Sequence, residues 1–201
     1  MSTTTQPAAP TDPSPSLSSG VVIADPGPLG LAGFATTTFV LSVFNANLLT
    51  AGTAVVLGLA LAYGGFGQLL AGMWEFRKGN TFGALAFSSY GAFWISFWFL
   101  LRYTPAVPAH AIGVYLLAWT IFTAYMTVAA ARTTGVILSI FALLTLTFAF
   151  LTIGAFGGAA SITKIGGWLG LLTALAAWYG SFAGVTNATW KRAVLPTWPL
   201  G

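Results

Sequence analysis

The chain has 201 residues, of which 57% are hydrophobic and only 5% charged. Soluble domains carry about 25% charged residues, so this composition excludes an ordinary soluble fold and points to a polytopic membrane protein. The net charge of +4 is scattered over several loops, which excludes a nucleic-acid patch, and zero cysteines, one histidine and three carboxylates leave no thiol chemistry and almost no metal ligands.

Residues 1–24 are rich in Ser, Thr and Pro and hold one charge, Asp12, with no Lys or Arg ahead of an apolar run. They read as a disordered tail and not as a signal peptide. Asp25-Pro26-Gly27-Pro28 then starts the first helix: Pro28 has the fixed φ of a first helical turn, and Asp25 suits the positive helix end. Helix one is expected from Leu29 to Leu49, with Phe34, Thr38, Leu41 and Asn45 on one face.

Helix two is expected over Ala54 to Trp74 and helix three over Thr81 to Leu101, joined by a polar elbow from Glu75 to Asn80. Gln68 and Glu75 are nearly the only strongly polar side chains of helix two, and at i and i+7 they share a face with Gly64 and Gly72. A polar stripe beside glycines should face protein or water and not lipid, as in a permeation path or a tight helix seam. Tyr90 and Trp94 repeat this one-face spacing on helix three.

Pro105 and Pro108 break the chain before helix four, Ala111 to Ala131. Helix five follows from Gly135 to Ile153, then a Gly154–Gly158 run, then helix six from Ile165 to Asn187. Each segment approaches the roughly 20 residues that a bilayer core demands. The reading is an all-α membrane protein with six transmembrane helices over residues 25–190, followed by a tail over 191–201. One side collects Arg77, Lys78, Arg132, Lys191 and Arg192, the other only Arg102 and Lys164. The positive-inside rule therefore places both termini and the tail in the cytoplasm, with the helices in the cell membrane.

No Ser-His-Asp set, HExxH, Walker A or Rossmann pattern occurs, so no enzyme and no cofactor is expected. His110 reads as a solvated loop residue, since a catalytic histidine needs positioned partners. Glu75 fits a role at a pore mouth as well as an interfacial ion pair with Arg77 or Lys78. Gln68, deeper and without a cationic neighbour, fits a functional contact, because an amide in hydrocarbon needs a partner. Asn45 fits either a polar contact or an interhelical hydrogen bond. The pairs Gly79/Gly83, Gly166/Gly170 and Gly180/Gly184 suggest close helix packing, and the many Phe residues read mostly as lipid-facing or packing.

Two long blocks carry a resemblance. Tyr63 to Trp94, YGGFGQLLAGMWEFRKGNTFGALAFSSYGAFW, resembles the central signature of the acetate uptake transporter family, which includes bacterial succinate–acetate permeases. Asp25 to Thr38, DPGPLGLAGFATTT, resembles that family's N-P-x-P-L-G-L-x-G-F motif, with Asp25 where the pattern has Asn. The resemblance implies a homo-hexamer in a lipid bilayer, each protomer with its own pore for acetate and related short carboxylates, succinate among them. It further implies a hydrophobic constriction of Phe34, Tyr90 and Leu144. Thr37, Thr38 and Gln68 would then hold the carboxylate, with Glu75 and Asn45 as further polar contacts. Channel and proton-linked permease both stay open, as do a non-transporting membrane scaffold or sensor and a channel for a neutral solute.

Overall fold

The computed structural model describes residues 23–104 and 106–201. The tail expected over 1–24 therefore lies, but for its last two residues, outside the described part. Six helices are long and apolar enough to cross a membrane: α1 Gly27–Asn45, α2 Val55–Lys78, α3 Thr81–Tyr103, α4 Ala109–Ala130, α5 Gly135–Ala155 and α6 Ala160–Trp190. Among the described residues the only strand-like pairing is one bridge between Thr134 and Pro199.

Helix ends follow local chemistry and shift several expected boundaries. With Pro28 in its first turn, α1 starts two residues early; it stops at Asn45 and not at Leu49, because Asn47 turns left-handed at φ 60°. Helix α2 runs on through Glu75 to Lys78, so the expected polar elbow shrinks to Gly79 and Asn80. Gly79 sits at φ 82° and closes the helix with bonds from its own N–H to Phe76 O and from Asn80 N–H to Glu75 O. Asn80 then caps α3, its side chain accepting from Gly83 N at 3.1 Å. Of the expected pair Gly79/Gly83, Gly79 makes the turn, whereas Gly83 lies in α3 and packs closely, a Cβ there falling 2.8 Å from the Glu75 carboxyl carbon. Of the Gly154–Gly158 run, α5 takes Gly154 and Ala155, and the rest forms the turn before α6 begins at Ala160, with Gly157 at φ 102°.

Residues Ala62–Gly67 of α2 form a π-helical turn. In a regular helix Val56 and Glu75 would stand about 100° apart, and a π turn, by taking up one extra residue, returns them to one face. Val56, Ala60, Gly64, Gln68, Gly72 and Glu75 are accordingly all buried.

The helices close into a ring. Helix α1 packs on α6, α6 on α5, α5 on α4, and α2 lies between α1 and α3. Helices α3 and α4 make few backbone approaches and are joined mainly by side chains. The α1–α6 seam depends on glycine: a Cβ on Gly167 would collide with the backbone of Asn45 and Ala46, and one on Gly170 with the Ser42 hydroxyl. Threonines tie α4 to α5, with Thr127 to Thr145 at 2.8 Å and Thr120 to Thr152 at 3.1 Å. After α6 the chain folds back onto α5. Trp198 O accepts from Gly135 N at 2.7 Å, supplying an acceptor to the unpaired first turn of that helix.

Candidate functional site

The ring encloses three cavities in line. On the side where α1 begins and α6 ends lies one of about 310 Å³, reached by Pro28, Leu31, Glu75, Lys78, Phe141 and Thr197. On the far side lies one of about 280 Å³, reached by Thr38, Asn45, Trp94, Tyr115, Thr147 and Phe148. These two share no lining residue. Between them sits a pocket of only about 20 Å³, bounded by Leu31, Phe34, Gln68, Phe87, Tyr90, Ile140, Phe141 and Leu144. Phe34 and Leu144 also line the far cavity, whereas Leu31, Phe87 and Phe141 also line the near one. About 10–15 Å³ on this measure holds one water molecule, so the middle of the line is a single water-sized space, far narrower than the cavity on either side.

Phe34, Tyr90 and Leu144 come from α1, α3 and α5 and meet at this neck, each at 5% exposure or less. The Phe34 and Tyr90 rings stand 5.8 Å apart, and Phe141 approaches Tyr90 to 6.0 Å from another side. The Tyr90 hydroxyl is bound to Thr123 at 2.9 Å. Gln68 reaches the neck from the turn just past the π segment and is 1% exposed.

The polar residues singled out from sequence divide. Thr38 and Asn45 line the far cavity together with Phe34 and Leu41, so the expected face of helix one is the face that lines it. Thr37 does not join them. One residue earlier, it is rotated about 100° around the helix, toward α2, and its hydroxyl donates back to Gly33 O of its own helix at 2.9 Å. Gly64 makes room there: a Cβ on it would lie 2.5 Å from the Thr37 hydroxyl. Thr37 lines none of the three cavities.

Glu75 lines the near cavity at 1% exposure. It makes no ion pair with Lys78, which instead meets Asp25 at 2.7 Å. Among the described residues five buried side-chain atoms have no hydrogen-bond partner: Thr38 Oγ1, Gln68 Oε1, Glu75 Oε2, Ser88 Oγ and Trp94 Nε1. All but Ser88 belong to residues that border the cavities. Unpartnered polar atoms are costly inside a protein and therefore call for a reason.

Sequence reasoning missed the aromatic wall. Phe87, Phe93, Phe141 and Phe148 are buried on the line of cavities and do not face lipid. The signal was there in α5, where Phe141, Leu144, Phe148 and Leu151 repeat at helical spacing, but large apolar residues such as Leu143, Leu146 and Phe150 stand between them. No cluster of His, Cys, Asp or Glu suited to a metal occurs among the described residues.

The sequence matches the GPR1/FUN34/yaaH family over residues 9–201. It is 39% identical over 179 residues to the succinate-acetate/proton symporter SatP of Escherichia coli K12, covering 87% of this chain and 95% of that one. It is 43% identical over 176 residues to ammonia transport outward protein 2 of Saccharomyces cerevisiae, covering 82% of this chain. The chain spans 66% and 62% of the length of two Saccharomyces cerevisiae relatives that it matches. The fold is similar to the structure of the bacterial acetate channel SatP, with a TM-score of 0.83 and 38% identity over 88% of this chain and 99% of that one.

Proposed function

The chain belongs to the GPR1/FUN34/yaaH family, and from that premise we propose that it passes acetate and related short carboxylates across a membrane through a path inside each protomer. The observation that carries the proposal is the line of three cavities, two wide and one nearly closed, threaded through the helix ring. On this reading Phe34, Tyr90 and Leu144 are the size filter, and Thr38, Asn45, Gln68 and Glu75 are the polar contacts on either side of it. Thr37, turned into the α1–α2 seam, acts as packing.

The filter's chemistry follows from its lining. Apart from the Gln68 amide and the Tyr90 hydroxyl, the neck is hydrocarbon and aromatic ring. Such a constriction strips a solute of most of its hydrating water and penalises a full charge, so a neutral acid or a partly dehydrated carboxylate crosses it most easily. Among the described residues the one cation lining the near cavity, Lys78, is already paired with Asp25. The proton then travels with the substrate, which makes net flux follow both the acetate and the pH gradients.

The protomers form a ring of six, each with its own path, and both termini face the cytoplasm of a cell whose cytoplasmic membrane they span. The cation distribution supports this orientation: Arg77, Lys78, Arg132, Lys191 and Arg192 lie at the end of the helices that holds the near cavity. A second reading, a channel for a neutral solute such as ammonia, is favoured by the apolar neck. Labelled acetate uptake into proteoliposomes, with and without an inward proton gradient, separates the two. Saturable acetate uptake that rises with the gradient supports the carboxylate path. Ammonia flux with acetate at the background of empty liposomes would replace it by the second reading.

A further inference from the structure

Thr123, in α4, lines none of the three cavities, yet its side chain is fully buried behind Tyr90. Its hydroxyl lies 2.7 Å from the carbonyl of Trp119, one turn earlier, and 2.9 Å from the Tyr90 hydroxyl. A threonine hydroxyl has one proton. Thr123 donates that proton back to Trp119 O, as buried helical threonines do, so toward Tyr90 it can only accept. The Tyr90 hydroxyl must therefore donate, and its single proton is committed to α4.

We propose that Thr123 is a positioning residue for transport: it pins the Tyr90 ring across the neck and leaves that hydroxyl with no proton to offer a passing carboxylate. The inference deepens the reading of the neck as a size filter and rests on it. The other neighbours of the ring are Phe34, Phe122, Phe141 and Trp119, with centroids 5.4 to 6.1 Å away. These contacts fill space around the ring without fixing where its hydroxyl points. Because α3 and α4 meet mainly through side chains, the Tyr90–Thr123 bond also sets how far the ring can withdraw toward α4. The neck is thus held at its width from outside the path.

The test compares Thr123→Val, Thr123→Ser, Tyr90→Phe and the Thr123→Val/Tyr90→Phe double variant in proteoliposomes, reading the lactate-to-acetate flux ratio, with Leu144→Ala as reference. Thr123→Val keeps the side-chain shape and removes the acceptor. Its ratio should rise about fivefold, the shift that losing one ordinary buried hydrogen bond allows. Tyr90→Phe should do the same from the other end of the bond, and the double variant should rise no further than either single change. Thr123→Ser, which restores a hydroxyl, should stay at the wild-type ratio. A wild-type ratio in Thr123→Val beside a raised ratio in Leu144→Ala overturns the positioning role and leaves the filter standing. A ratio unmoved by all of them, Leu144→Ala included, overturns the filter and the inference with it. Equal rises in Thr123→Ser and Thr123→Val reduce Thr123 to packing and also overturn it. Should Thr123→Val fail to assemble, Tyr90→Phe decides alone, and a wild-type ratio there overturns the proposal.

Discussion

Truncating Leu144 to Ala perturbs the neck where it is narrowest. Leu144 is 3% exposed and borders both the neck of about 20 Å³ and the far cavity of about 280 Å³. Removing three carbon atoms from a close-packed site leaves a space of up to about 150 Å³ where the surroundings do not collapse. Helix α5 itself should hold, since Ala is the best helix former. Lactate exceeds acetate by one hydroxymethine group, and forcing extra heavy atoms through a filled core costs about 1–3 kcal/mol. At about 1.4 kcal/mol per factor of ten, relief of that clash is worth roughly a tenfold rise in lactate flux relative to acetate. The assay is competition of labelled acetate by lactate in proteoliposomes, with expression and oligomer size checked in parallel. An unchanged ratio in a normally assembled variant would refute the reasoning, and the placement of Leu144 at the filter would be the first part to go.

Other expectations follow from neighbouring geometry. Gln68→Leu removes a buried amide whose oxygen has no partner in the protein and can accept the O–H of a neutral acid, so acetate flux should fall about two- to tenfold, the worth of one neutral hydrogen bond. Its lactate-to-acetate ratio should stay put and its thermal stability should be equal or higher; a relaxed ratio would mean that Gln68 is a wall and not a contact. Gly167→Ala places a methyl group against the Asn45–Ala46 backbone, so the unfolding midpoint in detergent should drop, with overpacking costing about 1–3 kcal/mol. An unchanged midpoint would show that the α1–α6 seam can open. A cysteine in place of Arg77 should resist an impermeant thiol reagent applied to whole cells, and labelling from outside would reverse the assigned orientation.

What the sequence made legible was whatever stood out against grease. Thr38 and Asn45 mark the lining face of α1 because they interrupt an apolar helix, and Gln68 and Glu75 do the same for α2. Thr37 shows the limit of that signal: adjacent to Thr38 and chemically the same, it turns into a seam, and only the close approach of Gly64 reveals why. The aromatic wall was illegible because α5 carries large apolar residues on every side and its threonines bond to neighbouring helices, so little contrast tells its inner stripe from its lipid-facing one. The π turn, the Asp25–Lys78 pair and the returning C-terminal residues depend on contacts far apart in sequence. The ion pair joins positions 53 residues apart, which no local pattern announces.

Plugging the neck tests most directly whether the path runs inside the protomer. Leu144→Trp should fill the pocket of about 20 Å³ and project toward Phe34 and Tyr90 from the opposite helix. In proteoliposomes containing the correctly assembled variant, labelled acetate uptake should fall to the level of empty liposomes. Uptake persisting at the wild-type rate would contradict the account and move the route away from Phe34, Tyr90 and Leu144, to a shared axis between protomers or to the protein–lipid boundary.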